Sequence, residues 1–498
     1  MVNIKKPLKN QSSQNQLLQS KYLRNQFSDM SQQLPLQVAF NQTLTQYLNT
    51  PLLKSASGSQ RNLLLALSGG LDSVVLLHLL ASARQVNNSN IQFNLSALHV
   101  YHGLSLNANS WTHFCTELCE SLHVPFAVKH VLVDKNSGLG IEAEARKQRY
   151  EALFNFADEN EIKPDFILTA HHQDDQAETL LLQLFRGTGV KGLSAMANID
   201  EKRRLLRPLL SVSKAALLEY ATQHQLKWCD DESNSDTYYE RNFVRHEVLP
   251  NLTSRYPAIQ TVLARTAGHM AEASALLDDL ASIDASIYIK NNALDVKGLR
   301  DLSYARAKNL FRMWLANNQL AIPTAQQLDE ILSQCLNAKP DANIELEIML
   351  ADTHDYLMLK RYQDTVFLCS NIPPVTYDLV WNGEPELILP NGDKLLFSEV
   401  HGNGLAKKFG MARLRISNRV GGERFKPDAL RPTRTLKHLL QAVNMPPWQR
   451  EHLPLIYWQD TLACVPNVGY AHELKAKEAE VGIQITWCSN AQLPKASF

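Results

Sequence analysis

Across residues 61–250, short apolar runs alternate with longer stretches of helical periodicity. The apolar runs predict strands at Leu63–Leu67, Phe93–Val100, Phe126–Val133, Phe166–Ala170 and Arg204–Arg207. Between them the pattern predicts helices over Asp72–Ala83, Asn107–Leu122, Ile141–Glu159, Asp175–Phe185 and Lys214–His224. Strand–helix alternation of this kind builds βαβ units, so an α/β fold with a doubly wound parallel sheet is expected. Residues 251–372 read as mainly helical, with β-like alternation entering at Ile344, Leu346, Ile348 and Leu350. Residues 373–498 carry short apolar runs broken by Gly and Pro, the pattern of a smaller β-rich domain. Residues 1–55 form a polar leader rich in Gln, Asn and Ser, expected to be flexible apart from a helix near Val38–Leu48.

The junction between the first strand and its helix carries the strongest chemical signal. Ser68-Gly69-Gly70-Leu71-Asp72-Ser73 places two glycines where the backbone must curl and approach a ligand closely. Amides of such a turn, at a helix start, converge on an anion. Ser68 and Ser73 add hydroxyls, and Asp72 offers a carboxylate for a Mg²⁺ that bridges phosphates. The spacing and the missing Lys exclude a Walker A loop. The turn is similar to the signature of the ATP pyrophosphatases, or PP-loop enzymes; an ordinary strand-to-helix turn is the plainer alternative.

A second cluster follows the fourth strand, where His171, His172, Asp174, Asp175 and Glu178 gather within eight residues. Asp174 and Glu178 are four apart and share a helix face. Acids are favoured at any helix N-terminus, but a site with a metal ligand, a base and an amine-binding carboxylate accounts for all five together. Arg186 and Gly187 end that helix and offer a guanidinium and free amides to phosphate, or a simple C-cap. Arg146 stands on a basic helix with Glu142 four residues before it. Arg241 and Arg245, also four apart, are placed to grip a phosphate backbone.

Composition then sets limits. The chain has 498 residues, enough for about three domains. Its hydrophobic and charged contents, 45% and 20%, are those of an ordinary globular protein. No apolar run reaches the ~18 residues of a membrane span, and no apolar stretch follows the N-terminal lysines as in a signal peptide. Seven cysteines without framework spacing fit reduced thiols in the cytoplasm. The net charge is zero, yet Lys407 to Lys437 is a basic stripe that includes Arg413, Arg424, Lys426 and Arg431. A polyanion can dock on such a stripe while the whole chain stays neutral; a solvated basic face is the alternative.

Taken in order, these segments closely resemble the bacterial tRNA(Ile)-lysidine synthases. The resemblance rests on Ser68–Ser73, His99–Leu104, Gly140–Tyr150, Ala170–Thr179 with Arg186–Gly189, Leu206–Leu209 and Asp230–Asn242. It continues through Val420–Arg424 and Lys437–Trp448. It implies an adenine-nucleotide alpha-hydrolase type of sheet in an ATP pyrophosphatase catalytic domain over 56–250. A tRNA-binding middle domain over 251–372 and a basic tRNA-binding domain over 373–498 would follow. The implied reaction joins the ε-amine of free L-lysine to C2 of the wobble cytidine of tRNA-Ile with a CAU anticodon. It passes through an adenylylated base and releases pyrophosphate and AMP.

The resemblance implies that Ser68–Ser73, with Arg186 and Gly187, hold the ATP phosphates, and that His99 and His102 line the adenosine side. Asp72, His172, Asp174, Asp175 and Glu178 would carry the catalysis, with Asp72 and Asp175 as the Mg²⁺ ligands. Arg146, Arg241, Arg245, Arg424, Lys426 and Lys437 would meet the tRNA. No iron–sulfur cluster and no membrane are implied, and a homodimer is compatible. Two features depart from the family: a leader longer than the family needs, and His171 beside His172 at the family's second His position, which leaves the choice between them open. The runner-up is a tRNA thiolase of the same pyrophosphatase class, which would need a sulfur-carrying cysteine or a cluster.

Overall fold

The structure, a computed structural model, describes residues 36–49, 60–85, 92–105, 107–134, 140–159, 163–230, 236–339, 344–351, 353, 355–409, 414–430 and 432–489. Residues 1–35 of the leader, the side chain of Glu142, residues 231–235, Arg413, Arg431 and the chain beyond Ser489 lie outside the described residues. The chain divides into two compact units, Met1–Ala275 and Leu276–Phe498.

The first unit is built on six strands: β1 (Arg61–Ala66), β2 (Phe93–Tyr101), β3 (Phe126–His130), β4 (Phe166–Leu168), β5 (Ile199–Asp200) and β6 (Leu205–Leu206). Their order in the sheet is β3-β2-β1-β4-β6-β5. All neighbours run parallel except β5, which pairs antiparallel with β6. The helices are α1 (Leu36–Leu48), α2 (Leu71–Gln85), α3 (Ala108–Ser121), α4 (Ile141–Glu159), α5 (Gln173–Phe185) and α6 (Lys214–Gln223).

The unbroken apolar run of β1 follows from cover on both faces of the sheet. Leu63 and Leu65 enter a core with Val75, Leu76 and Leu79 of α2. Leu64 faces the other way, into a core with Ala152 and Leu153 of α4. The chain leaves β1 toward β2 on one side and reaches β4 on the other. That order makes β1/β4 a topological switch point, the place where ligands of open α/β sheets bind at the C-terminal strand ends.

Part of the expected leader turns out to be core. Helix α1 puts Phe40, Leu44 and Leu48, four residues apart, into the same core as α2. Gln37 Nε2 donates to the Leu79 carbonyl at 3.1 Å, and Tyr220 of α6 donates its hydroxyl to Gln37 Oε1 at 2.9 Å. The polar composition of residues 1–55 hid the depth to which this single apolar stripe is buried.

The second unit has two separate cores. In the first, helices Tyr304–Asn317 and Ala325–Asn337 bury Leu310, Trp314, Leu328 and Leu332. They pack on a five-stranded antiparallel sheet that includes Ile344–Met349, Tyr356–Tyr362 and Thr365–Cys369. The second core is β-rich and joins Trp381, Phe397, Leu414, Ile456 and Ile485. Its main pairing is Lys394–His401 against Val481–Cys488. Among the described residues, no helix is long and apolar enough to cross a membrane.

Leu44 is fully buried, so Leu44→Ala should cost the first unit about 3 kcal/mol through lost transfer energy and the cavity left behind. A fall in the urea midpoint of that unit, with secondary structure retained in its native baseline, is the expected result.

Candidate functional site

Ser68–Ser73 leaves the C-terminal end of β1 and opens α2. Gly69 has φ +87°, a conformation open to glycine and strained for other residues. A Cβ there would also stand 3.1 Å from Cys115 Sγ, a tight contact that the sulfur would have to yield to. Ser73, which is buried, spends its hydroxyl on the turn itself. Its Oγ accepts from the Gly69 amide at 3.1 Å and donates to the Gly70 carbonyl at 2.9 Å. Ser68 and Ser73 also share a hydrogen bond at 3.0 Å. The segment after α6 closes over the turn, with the Cys229 amide donating to Gly69 O at 2.9 Å. What the turn leaves open is the first-turn amides of α2, which have no partner within the helix.

β4 ends at the neighbouring position and delivers His171 and His172 to the start of α5. His172 is the N-cap: its Nδ1 accepts from the Asp174 amide at 3.2 Å, while its own amide donates to Asp175 Oδ2 at 3.0 Å. Because Nδ1 accepts, the neutral ring carries its proton on Nε2. That nitrogen lies 3.5 Å from both Asp72 Oδ2 and Asp175 Oδ2. The switch point thus brings the phosphate turn and the acidic cluster together.

The two histidines are shifted in opposite directions. Burial alone would lower the pKa of His172, but the hydrogen bond to Asp72 and the charges of Asp175, Asp72 and Asp174 outweigh it, and the net shift is upward. His171, whose Nδ1 meets Thr169 Oγ1 at 2.8 Å, is pushed down to about 3. Burial is the main cause there, and Arg207, Arg146 and Arg241 add to it against the pull of Asp175. His171 is therefore neutral at physiological pH, and His172 is the ring that favours its proton.

The carboxylates separate equally clearly. Glu178 is 1% exposed. It accepts from Arg241 Nε at 2.8 Å, Arg245 Nε at 2.6 Å and Arg245 Nη2 at 2.9 Å. Asp175 Oδ1 accepts from Arg241 Nη2 at 3.1 Å. Burial works against its ionisation, yet His172, Arg241 and His171 bring its pKa down to about 2. Both oxygens of Asp175 thus meet N–H donors, and so do both of Glu178. Arg241 and Arg245 are likewise committed to these acids; they sit where the helical turn Glu240–Phe243 passes into a π-helical stretch, Val244–Val248. Asp174 differs: its Oδ1 accepts the Lys214 amide at 3.1 Å, and it lines a cavity of about 350 Å³ with His172, Lys214, Arg245 and Leu249.

Asp72 retains one buried oxygen, Oδ1, without a donor. An orphaned carboxylate oxygen beside a phosphate turn fits Mg²⁺, which takes one or two carboxylates and completes its shell with phosphate and water. Among the described residues no group of three or more His, Cys, Asp or Glu is arranged to hold a metal. Any cation here would depend on the nucleotide for most of its ligands.

Other expected residues scatter. His99, near the end of β2, is buried and donates Nδ1–H to Leu67 O at 2.9 Å. Burial lowers its pKa, so this ring too is neutral. His102 is half-buried just beyond β2. Arg186 and Gly187 stand at the far end of α5 from His172. Over 13 residues that is about 20 Å along the axis. Arg186 there pairs with Glu240 at 2.8 Å. In the second unit, Lys407, Lys408, Arg415 and Arg419 are in ion pairs. Among the described residues, no such pair occupies Arg424, Lys426 or Lys437 of the basic stripe. Lys214 and Arg207 are the site residues that sequence reasoning left without a role. Only their places, at the start of α6 and the end of β6, could have suggested one.

The pH dependence follows from the two coupled groups. Asp175 has a depressed folded-state pKa, so its contribution to stability is complete above the unfolded value of about 3.9 and disappears as pH falls toward about 2. His172 has a raised one, so its contribution is complete below about 6.5 and is lost as pH rises through the folded value. Chemical-denaturation midpoints measured across pH should therefore fall on both sides. Asp175→Asn should flatten the acid limb, and His172→Gln the limb above neutrality.

Three family models match the chain. They are a PP-loop domain over residues 36–252, a TilS substrate binding domain over 294–367 and a TilS substrate C-terminal domain over 414–487. A tRNA(Ile)-lysidine synthase of Nitrosomonas europaea is 40% identical over 433 residues, covering 85% of this chain and 91% of the relative. Proteins of the same name are similar from Coxiella burnetii (36% identical, 88% and 94% covered) and Actinobacillus pleuropneumoniae (37%, 82% and 96%). With a PP-loop domain, an acidic cluster beside its glycine turn and relatives aligned along nearly their whole length, the chain belongs to the tRNA(Ile)-lysidine synthase family.

Proposed function

We propose that this protein is an ATP-dependent carbon–nitrogen ligase that joins L-lysine to the wobble cytidine of tRNA-Ile(CAU). The observation that carries the reading is the 3.5 Å approach of Asp72, on the phosphate turn, to His172 of the acidic cluster. It brings nucleotide activation and amine delivery to one switch point. In the first step the C2 oxygen of the cytidine attacks the α-phosphate of ATP, and pyrophosphate leaves. In the second the lysine ε-amine attacks C2, and AMP leaves with the oxygen. The carbonyl oxygen is a poor leaving group until adenylylation, which is why ATP is spent.

The first-turn amides of α2 cradle the phosphates, and Asp72, through its orphaned oxygen, would hold Mg²⁺. When bound, the ion offsets phosphate charge. The free lysine enters the cavity beside α5. There Lys214 suits its carboxylate, and Asp174 suits its ammonium. An amine with pKa about 10.4 must lose a proton before attack, and Asp174 is the acid we assign to receive it. His172 is ill-placed as the base because its Nδ1 already accepts a backbone amide. We assign Asp175 and Glu178 to positioning: they lock Arg241 and Arg245 instead of meeting substrate.

The thiolase alternative needs a reactive thiolate. The two cysteines flanking Gly69 fit that role poorly. Burial pushes the Cys115 thiol up to about 12, and Cys229 is shifted in the same direction.

Incubating the protein with CAU-anticodon tRNA, ATP and labelled lysine should place label in the tRNA and release AMP and pyrophosphate. Asp72→Ala should slow that transfer by about 100-fold or more while the fold persists. Label transfer at the parent rate in this variant would remove Asp72 from the mechanism.

The tRNA body is assigned to the second unit, through Arg424, Lys426 and Lys437. Reversing these three charges should weaken tRNA binding. It should also reduce the slope of log affinity against log salt by about 0.9 for each phosphate no longer neutralised. The ATP KM should not change. Equal binding by parent and triple variant at low and high salt would make the stripe a solvated face.

A further inference from the structure

The two cores of the second unit are joined by residues 370–377, which form neither helix nor strand. A link of this kind leaves two bodies free to turn unless the contact between them is large or specific. The contact here is specific. Arg450, on the helix Pro447–His452, is anchored to the β-rich core through Nε, which donates to the Met445 carbonyl at 2.7 Å. Its Nη2 reaches the other core and donates to the Tyr362 hydroxyl at 2.9 Å. Tyr362 ends the strand Tyr356–Tyr362, whose Leu357 and Leu359 are buried in that first core.

Trp448, two residues before Arg450, is 9% exposed and lies between the two cores, a member of neither. Its ring meets those of Tyr362 and Phe367 edge-on, with centres 6.3 Å and 5.7 Å away. Lys360 Nζ stands 5.6 Å from the same ring centre. A tryptophan from the β-rich side is thus met by three side chains of the first core's sheet. A third link is polar: Gln363 Nε2 donates to Asn444 Oδ1 at 3.3 Å. Gln363 and Asn444 have φ +52° and +54°, where the backbone by itself favours glycine. The side chains kept at those two positions are the ones that join the cores.

We propose that Arg450 and Trp448 are positioning residues for tRNA binding: they latch the β-rich core to the first core's sheet, so that the basic stripe meets the tRNA body in one fixed orientation. The proposal rests on the reading that this stripe grips tRNA. Phe425 and Leu436 are buried in the β-rich core and carry Arg424 and Lys437 beside them, so the stripe turns with that core. A loose junction leaves every phosphate contact available but adds the lost rotational freedom of one core to the cost of binding. Direct phosphate contact is the weaker role for Arg450. Two of its nitrogens already donate within the protein, and its guanidinium carbon lies 5.7 Å from the Tyr362 ring centre.

The test uses the full-length protein and CAU-anticodon tRNA, with affinity measured across a salt series and amide exchange followed in the free protein. Tyr362→Phe, which keeps the ring and removes the hydroxyl, should weaken tRNA binding about threefold, and Arg450→Met about tenfold. Each factor should be the same at low and high salt, because the phosphates neutralised do not change. In both free variants the amides of Tyr356–Tyr362 and of the helix Pro447–His452 should exchange faster than in the parent. Adding Tyr362→Phe to Arg450→Met should weaken binding no further, since both remove one hydrogen bond. The KM values for ATP and lysine should stay within about twofold of the parent, a split that general loss of structure would not produce. If Arg450→Met does not fold, Tyr362→Phe decides. Parent-like tRNA affinity in Tyr362→Phe, or additive losses in the double variant, would overturn the latch. A reduced salt slope in Arg450→Met would overturn it in favour of direct phosphate contact. Absence of tRNA binding by the parent protein would instead count against the reading on which the latch rests.

Discussion

The site depends on one buried carboxylate. Glu178 takes three N–H donors from Arg241 and Arg245, and so ties α5 to the helical segment that begins at Glu240. Without those guanidiniums a buried Glu would have to be neutral, and without Glu178 two arginines would crowd a site already rich in charge. Against the effect of burial, His172 and then Arg241 of the clamp bring the Asp175 pKa down. Asp175 in turn accepts the His172 amide and caps α5. Apolar packing of Ala177 and Leu181 against Val244 and Leu249 backs the clamp from behind. The first turn of α5 is thus fixed by packing on one face and by ion pairs on the other.

That rigidity has an electrostatic purpose. Asp72, Asp174, Asp175 and Glu178 lie close together, and unpaired they would repel one another and any nucleotide phosphate. Arg241 and Arg245 offset part of this charge by pairing with Asp175 and Glu178. The residual asymmetry is useful. The first-turn amides of α2 favour an anion, whereas Asp174 lines a cavity with His172, Lys214 and Arg245. Placing a neutral His171 beside a proton-favouring His172 completes the division, since neighbouring rings cannot easily both be charged.

The second unit shows how a chain of zero net charge can serve a polyanion. Among the described residues, four members of the basic stripe are neutralised locally: Lys407 pairs with Glu399, Lys408 with Glu480, Arg415 with Asp378 and Arg419 with Glu423. Arg424, Lys426 and Lys437 remain on the hairpin Arg424–Phe425/Arg434–Thr435 and the helix that follows it. Among the described residues, the positive charge left unpaired in the stripe is therefore narrower than the sequence count suggests.

Local signals are legible in the sequence because local physics produces them. The apolar runs mark β1, β2, β4 and β6, and the expected helices fall within a few residues of those found. Gly69-Gly70 announces a turn because only glycine fits φ +87° beside the Cys115 sulfur. The cluster from His171 to Glu178 is visible as an excess of titratable side chains after a strand. What each of them does is not visible, because a carboxylate's role depends on which donors reach it. Glu178 and Asp175 read as open ligands until Arg241 and Arg245, more than 60 residues later, arrive against them. His171 and His172 are indistinguishable in a string of letters; their opposite pKa shifts come from acids and guanidiniums gathered by the sheet. The helix at α1 is legible, but its place in the core is not, because one apolar face in thirteen residues is faint until a core exists to receive it. Spacing along the chain is set by local backbone geometry, and so the sequence displays it. Charge state and ligand access are set by neighbours distant in sequence, and only the tertiary structure decides them.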